Sequence, residues 1–210
     1  LRKSPVEDLI DFYEVSIGGQ THVVHKDGNY AVRGNLIEIK TNRDLTAIYQ
    51  LEIQTKKAKE VIAKIPKETF ITYTPEKEKI GTAYIFTDTT CGYCKKLHFE
   101  MDQYMEKGIE VKYIPYPRGG AREGALGYEQ SKQIMCSNDT KTAIDAMKKG
   151  YAGFTYLQES YDEECVELVY NGIKAGSDIG ITGTPFIYLS SGVAIPGYQS
   201  VNVIENLLKK

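Results

Sequence analysis

The chain has 210 residues, 41% of them hydrophobic and 26% charged, which is a folded composition of one or two domains at ~150 residues each and not a disordered one. Residues 1–68 carry 11 basic and 10 acidic side chains and the remainder 15 and 18, so neither part has the basic excess that a nucleic-acid or anionic-membrane partner needs. The longest unbroken apolar runs, Ala83 to Phe86 and Phe186 to Leu189, are too short to span a bilayer.

Residues 4–15 read as a short amphipathic helix. Ser4 serves as its cap, Pro5 suits the first helical position, and Glu7 completes a capping box. Val6, Leu9, Ile10 and Tyr13 share one face. The opening Leu1-Arg2-Lys3-Ser4-Pro5 leads straight into this pattern with no apolar signal core, which fits a cytosolic chain or an exported one whose signal has been removed.

Residues 20–41 change character. Thr21 to His25, Tyr30 to Arg33 and Leu36 to Ile39 are short extended runs, and Asp27-Gly28-Asn29 marks a turn, giving a small antiparallel meander. A module of about fifty residues buries little core alone, so it is expected to lean on a neighbour or on a second copy of itself. Residues 51–65 return to helical spacing, with Ala58, Val61, Ile62 and Ile65 on one face and Pro66 as the stop. This reads as a linker helix, with 66–78 as the boundary between two domains.

From Ile80 the pattern is α/β. Ala83 to Phe86 is a buried strand, Cys91 to Lys107 a helix stopped by Gly108, and Ile109 to Ile114 the next strand. Residues 121–176 accommodate three helices. Thr182 to Pro185 is a turn, Phe186–Leu189 and Val193–Ile195 form a hairpin around Ser190-Ser191-Gly192, and residues 200–209 close the chain as a helix.

The chemistry concentrates in the cysteines: Cys91, Cys94, Cys136 and Cys165. Four cysteines allow three full pairings. There is no second Cys-x-x-Cys, and the only histidines are His22, His25 and His98, so a zinc site is poorly supplied with ligands. Cys91-Gly92-Tyr93-Cys94 follows a strand and opens a helix. There the free N–H groups and the helix dipole favour a thiolate, and the first thiol of such a pair drops from ~8.5 to roughly 3.5–7. Cys91 is the candidate nucleophile and Cys94 the resolving thiol. A metal half-site or a structural pair is the alternative. Thr184-Pro185 before a strand is by itself a turn, and it also suits a cis peptide whose loop sits against the cysteines and offers the Thr184 backbone to an extended substrate.

The order of strand, Cys-x-x-Cys, helix, strand, helical insertion, Thr-Pro, hairpin and terminal helix resembles the thioredoxin-like fold, and within it the periplasmic disulfide isomerase family of DsbC and DsbG. Phe86 through Cys94 with Lys96-Leu97-His98 carries most of the likeness. Gly108 to Tyr113, Pro117-Arg118, Gly183-Thr184-Pro185 and Pro196 to Gln199 continue it. Asp27-Gly28, Gly34 and Leu36-Ile37-Glu38 resemble the family's dimerisation domain. Gly92-Tyr93 between the cysteines is the DsbC form, whereas DsbG-like members have proline first. Lys95 departs from the pattern, since a histidine often follows the second cysteine, and residues 119–181 match loosely.

The resemblance implies a cystatin-like α+β dimerisation domain over 1–52 and a linker helix and hinge over 53–78. It implies a thioredoxin-like catalytic domain over 79–210 with a helical insertion at about 120–180. The function implied is disulfide isomerisation or reduction on exported proteins through a mixed disulfide with Cys91, resolved by Cys94. Gly92, Tyr93, Thr184 and Pro185 form the active-site loops, Asp88 is a possible modulator of the thiols, and Gly34 lies at the dimer interface. Cys136 and Cys165 have a structural pair as their counterpart in the family. Closing a loop of about thirty residues, such a bridge stabilises by roughly 3–4 kcal/mol; free buried thiols or a second redox pair remain alternatives. The partners implied are a second copy of the chain, misfolded disulfide-containing substrates and a membrane reductase of the DsbD type, with no nucleic acid, no metal and no cofactor. The location implied is the periplasm, with the signal peptide removed. A dithiol oxidase or reductase on the same scaffold, or a chaperone that binds unfolded clients between protomers, stands as the alternative.

Overall fold

The computed structural model of the protein describes residues 2–3, 12–17, 20–32, 34–150 and 161–209. The N-terminal part is an antiparallel sheet of β1 (Arg2–Lys3), β2 (Phe12–Ile17), β3 (Gln20–His25) and β4 (Ala31–Val32), in that order. β2 corrects the expected helix over 4–15. Residues 4–11 lie outside the described residues, and Phe12 to Val15 are strand. Pairing decides this: Phe12 to Ile17 register one for one against His25 to Gln20, and the Phe12 ring meets His25 edge-on at 5.2 Å. A single short helix has little stability of its own, whereas aromatic and β-branched residues suit a pleated surface.

Asp27 builds the turn after β3 by accepting the Asn29 N–H at 2.8 Å. The extended run after β4 leaves the meander. β5 (Ile37–Glu38) pairs instead with β6 (Arg43–Asp44), a strand with no apolar pattern to announce it. α1 (Leu45–Ile62) begins earlier than residue 51 because Asp44 caps it, its carboxylate accepting the Ala47 N–H at 2.9 Å.

The second half of α1 is not a free linker. Ala58 and Ile62 are buried with Ala175, Ile179, Ile181 and Phe186, and the Gln54 side-chain amide donates to the Gly180 carbonyl at 2.6 Å. After Pro66 a 3₁₀ turn (Lys67–Thr69) leads to β7 (Ile71–Tyr73), so the segment read as a boundary supplies an edge strand.

That strand completes a five-stranded sheet with β8 (Gly81–Thr87), β9 (Ile109–Pro115), β10 (Phe186–Leu189) and β11 (Ala194–Pro196), in the order β11-β10-β8-β9-β7. β8 and β9 run parallel from Gly81 opposite Ile109 to Thr87 opposite Pro115, and the other pairs are antiparallel. The helices after α1 are α2 (Gly92–Phe99), α3 (Met101–Glu106), α4 (Leu126–Met135), α5 (Thr140–Lys149), α6 (Glu163–Ile179) and α7 (Val201–Leu208).

Ala83, Ile85, Val111, Tyr113, Ile187 and Leu189 face one layer with Leu97, Tyr104, Ile144 and Ile204. Phe86, Ile114, Phe186 and Tyr188 face the other, with α1 and α6. Cover on both faces is why β8 and β9 are apolar nearly throughout. α6 crosses the end of β9 so closely that a Cβ at Gly172 would overlap the Pro115 carbonyl. The helix expected over 91–107 is two helices. The chain tightens between them, where the Glu100 N–H reaches the Leu97 carbonyl at 3.1 Å in a 3₁₀-type bond.

Candidate active site

β8 delivers the chain to the carboxyl edge of the sheet, and Asp88 fixes the loop that follows. Its buried carboxylate accepts from the Thr90 N–H at 2.8 Å, the Thr90 hydroxyl at 2.7 Å, and the Arg118 backbone N–H and Nε at 3.0 Å each. Burial pushes the Asp88 carboxyl up, but these donors from Arg118 and Thr90 outweigh it and hold the group below the usual carboxylate range. The carboxylate is thus turned toward Arg118 and Thr90. It is the Asp88 backbone that touches the thiols: its carbonyl accepts the Cys91 N–H at 3.2 Å, and its N–H faces the Cys94 sulfur.

Cys91 is the N-cap of α2 and Cys94 lies on its first turn. Both are free thiols and both are buried, at 4% and 1% exposure. The Cys91 thiol donates to the Thr184 carbonyl at 3.2 Å, and Thr184 precedes Pro185 through a cis peptide bond. The two sulfurs differ in kind. Burial pushes Cys91 up, yet the Thr184 side chain, the Cys94 N–H and thiol, and the Tyr93 N–H together bring it below the ordinary thiol value. Burial dominates at Cys94 and keeps it above that value, although the Lys148 charge, the Asp88 N–H and the Thr87 hydroxyl oppose it. Cys91 is therefore the easier of the two to ionise and Cys94 the harder.

Gly92 and Tyr93 form an exposed rim beside Cys91. The Tyr93 ring stacks on Tyr198 at 6.2 Å and 24°, and Lys96 sits over the other ring of that pair, Tyr198, at 4.4 Å. On the far side of Thr184 a pocket opens toward α1, lined by Gln54, Phe186 and Pro196 among others. Lys95 is half-buried and Lys96 exposed.

Behind the thiols lies a polar layer. His98 is buried, with Nε2 3.0 Å from an Asp145 carboxylate oxygen and Nδ1 3.2 Å from the Tyr113 hydroxyl. The Tyr73 hydroxyl donates to the same Asp145 oxygen at 2.5 Å. Burial, reinforced by the Lys148 charge and opposed by Asp145, pushes His98 down to about 4, so it is a neutral member of a packed network. Lys148 is the residue that the sequence reading passed over. It is 2% exposed, and its Nζ donates to the Thr87 hydroxyl at 2.8 Å. Its signal was spacing: with Ile144 and Met147 it falls on the buried face of α5. The reach of Arg118 to Asp88 and of Tyr198 to the Tyr93 rim was likewise not read from the sequence.

Cys136, which closes α4, and Cys165, in the first turn of α6, are joined by a disulfide that ties the insertion together. Gly34 lies far along the chain from the thiols in the bend after β4, at φ 143°, a conformation that favours glycine, with open space where a side chain would project. Among the described residues no three His, Cys, Asp or Glu side chains converge as a metal site would require.

Comparison with known proteins accounts for both parts of the chain. Residues 66–210 match the thioredoxin-like domain family, and residues 1–47 match the N-terminal domain family of disulfide bond isomerase proteins. The chain is 30% identical over 185 residues to the thiol:disulfide interchange protein DsbC of Salmonella typhimurium, covering 88% of this chain and 71% of the relative. It is 32% identical over 179 residues to DsbC of Dickeya dadantii, covering 84% and 67%. Among solved structures, the thiol-disulfide exchange protein alpha-DsbA2 of Wolbachia pipientis superposes with a TM-score of 0.57 at 17% identity, over 76% of this chain and 96% of that one. DsbG of Helicobacter pylori superposes with a TM-score of 0.51 at 19% identity, over 90% and 92%. The fold expected from the sequence, an α+β N-terminal domain followed by a thioredoxin-like domain with a helical insertion, is the fold these matches describe.

Proposed function

The chain belongs to the DsbC family of thiol:disulfide interchange proteins, and from that membership we propose that it rearranges wrong disulfides in exported proteins, working from the reduced dithiol state. The observation that carries this reading is the inequality of the two thiols: Cys91 lowered at a helix start against Thr184, Cys94 raised behind it.

The Cys91 thiolate attacks one sulfur of a substrate disulfide. A Cys91–substrate disulfide forms, the substrate bond breaks, and the second substrate sulfur leaves as a thiolate. A different substrate thiolate then attacks the mixed disulfide, makes the rearranged bond and returns Cys91 as a thiolate, so no net oxidation occurs. Where that step stalls, Cys94 displaces the substrate. The substrate leaves reduced, and a Cys91–Cys94 disulfide remains for a membrane reductase of the DsbD type to reduce. Gly92, Tyr93, Thr184 and Pro185 shape the approach to Cys91, and the Cys136–Cys165 bridge is structural. The test is refolding of a scrambled multi-disulfide substrate. Cys91→Ser is expected to abolish rescue and Cys94→Ser to accumulate mixed disulfide; rescue at the wild-type rate by Cys91→Ser overturns the proposal.

The division into an N-terminal module, the α1 segment and a catalytic domain, and pairing of two copies through the N-terminal modules near Gly34, belong to the same proposal. Exposed apolar side chains at Tyr30, Val32, Ile37 and Ile39, clustered around that glycine in sequence, support pairing there. Sedimentation that gives a monomer would overturn it. Among the described residues no helix is long and apolar enough to cross a membrane. The periplasm is the proposed location, because the clients and the bridge both need an oxidising compartment.

A further inference from the structure

Lys148 is a charged side chain in the interior, and its surroundings hold no close carboxylate. Among the described residues, none lies within ion-pair distance of its Nζ. Its Nζ donates to the Thr87 hydroxyl at 2.8 Å, and the ring of Tyr113 stands 5.5 Å away. Thr87, itself buried, faces the Cys94 sulfur with the same hydroxyl. A lysine ammonium only donates, so it takes a lone pair of the Thr87 oxygen and leaves the hydroxyl hydrogen free to point elsewhere. The acceptor placed to receive it is Cys94.

We propose that Lys148, acting through the Thr87 hydroxyl, is a positioning residue for the resolving thiol: it lets Cys94 lose its proton inside the protein without leaving an unpaired buried anion. The proposal rests on the thiol–disulfide reading and concerns its second branch. In that branch Cys94 attacks the Cys91 sulfur of the mixed disulfide. The Cys91–Cys94 bond forms and the Cys91–substrate bond breaks. The substrate sulfur leaves with the bonding pair and takes up the proton that Cys94 has given up. The substrate is reduced by two electrons and the enzyme dithiol oxidised by two. Nothing beyond the enzyme and its client is required.

The surroundings agree with this assignment. Burial, reinforced by the Lys95 charge, lowers Lys148 to about 8 against Cys94, Asp88 and Cys91, which favour its charge. His98 also lies within its field, and Asp145, on the same helix, is engaged by His98 and Tyr73. The anionic groups that act on its charge are the two thiols and Asp88, and Asp88 is engaged by Arg118 and Thr90. A lysine acting on Cys94 by its charge alone would lower it with or without the Thr87 hydroxyl, so it is Thr87 that separates the two roles.

The test follows the Cβ carbon resonance of Cys94 against pH by NMR in a Cys91→Ser background, where Cys136 and Cys165 are bridged and do not titrate. Because the thiol and the amine titrate as a pair, the reference curve has two steps. Lys148→Met is expected to leave one step, moved up by about one pH unit or more, the size of an adjacent opposite charge. Thr87→Val is expected to move the first step upward with Lys148 intact, and Thr87→Ser, which keeps the hydroxyl, to leave it in place. In the full dithiol enzyme, Lys148→Met should lengthen the lifetime of the mixed disulfide about tenfold at neutral pH, one unit of thiolate fraction. An unmoved Cys94 midpoint in Lys148→Met or in Thr87→Val overturns the proposal. Such a result leaves the isomerase reading standing, since that reading fails on Cys91 and not on this titration.

Discussion

The Cys91 thiol is hydrogen-bonded to the carbonyl of Thr184, 93 residues further along the chain, at 3.2 Å. The loop before β10 therefore completes the thiol site that the start of α2 begins. The Thr184 carbonyl restrains the sulfur while it is protonated, and the Thr184 hydroxyl, buried with no other partner, is free to turn to it once ionised. Thr184→Val keeps the carbonyl and the shape and removes the hydroxyl. The Cys91 midpoint should then rise by about one unit, because a hydrogen bond to a charged group contributes about 1.5–3 kcal/mol. Alkylation rate against pH in a Cys94→Ser background reads this directly. A midpoint that stays put would show that the side chain contributes nothing.

Asp88 predicts an acid response. Its folded value lies below the usual carboxylate range, so the stability it contributes is present above about 3.9 and is lost as pH falls through the lower folded value. Asp88→Asn should remove that limb of the acid unfolding curve. At neutral pH it should cost about 1–3 kcal/mol, from donors left without a charged acceptor. Arg118 is half exposed, and solvent screens its share of the loss. Urea midpoints at neutral and acid pH give both numbers; parallel curves for the two proteins would refute the assignment.

The Cys136–Cys165 bridge spans a sequence separation of 29, enclosing α5 and the Lys148 side chain it carries. Replacing both cysteines by alanine is expected to lower stability by about 3–4 kcal/mol on the loop-entropy estimate. The urea midpoint should fall, while Cys91, built on β8, α2 and the Thr184 loop, keeps its alkylation profile in the folded protein. A shifted Cys91 profile would mean that the bridge shapes the site as well as clamping the insertion.

Much of this was legible in the sequence because it was local. Cys-x-x-Cys between a strand and a helix, and the strands with unbroken apolar runs, are short-range patterns that burial on both faces reinforces. What was not legible depended on partners distant in the chain. Phe12 to Val15 fit a helical face as well as a strand, and the alignment with His25 to His22 decided between them. Glu100 broke a helix whose spacing gave no sign of it. Ala58 and Ile62 looked like the dry face of a linker until α6 and the Phe186 strand closed over them. Lys148 was hidden among the lysines of a helix end, since a charge at an apolar-face position is usually bent out to water.

That buried lysine yields the sharpest stability prediction. An ammonium taken out of water without a carboxylate is costly, and burial lowers Lys148 from 10.5 to about 8. Below about 8 the side chain is charged in both the folded and the unfolded chain, so the full cost falls on the fold. Between about 8 and 10.5 the folded form has released its proton while the unfolded chain retains one, so stability rises with pH across this window. Lys148→Met, which fills similar space without charge, is therefore expected to be the more stable protein at neutral pH, by up to about 3 kcal/mol. That advantage should shrink as pH climbs through the window. Thermal unfolding of the two proteins in their oxidised forms, where Cys91 and Cys94 do not titrate, isolates the effect. A methionine variant that is less stable at neutral pH, or that tracks the wild type in parallel at every pH, would show that the lysine is an ordinary part of the packing. A more stable variant would instead mark Lys148 as a charge that the fold tolerates for the sake of Cys94.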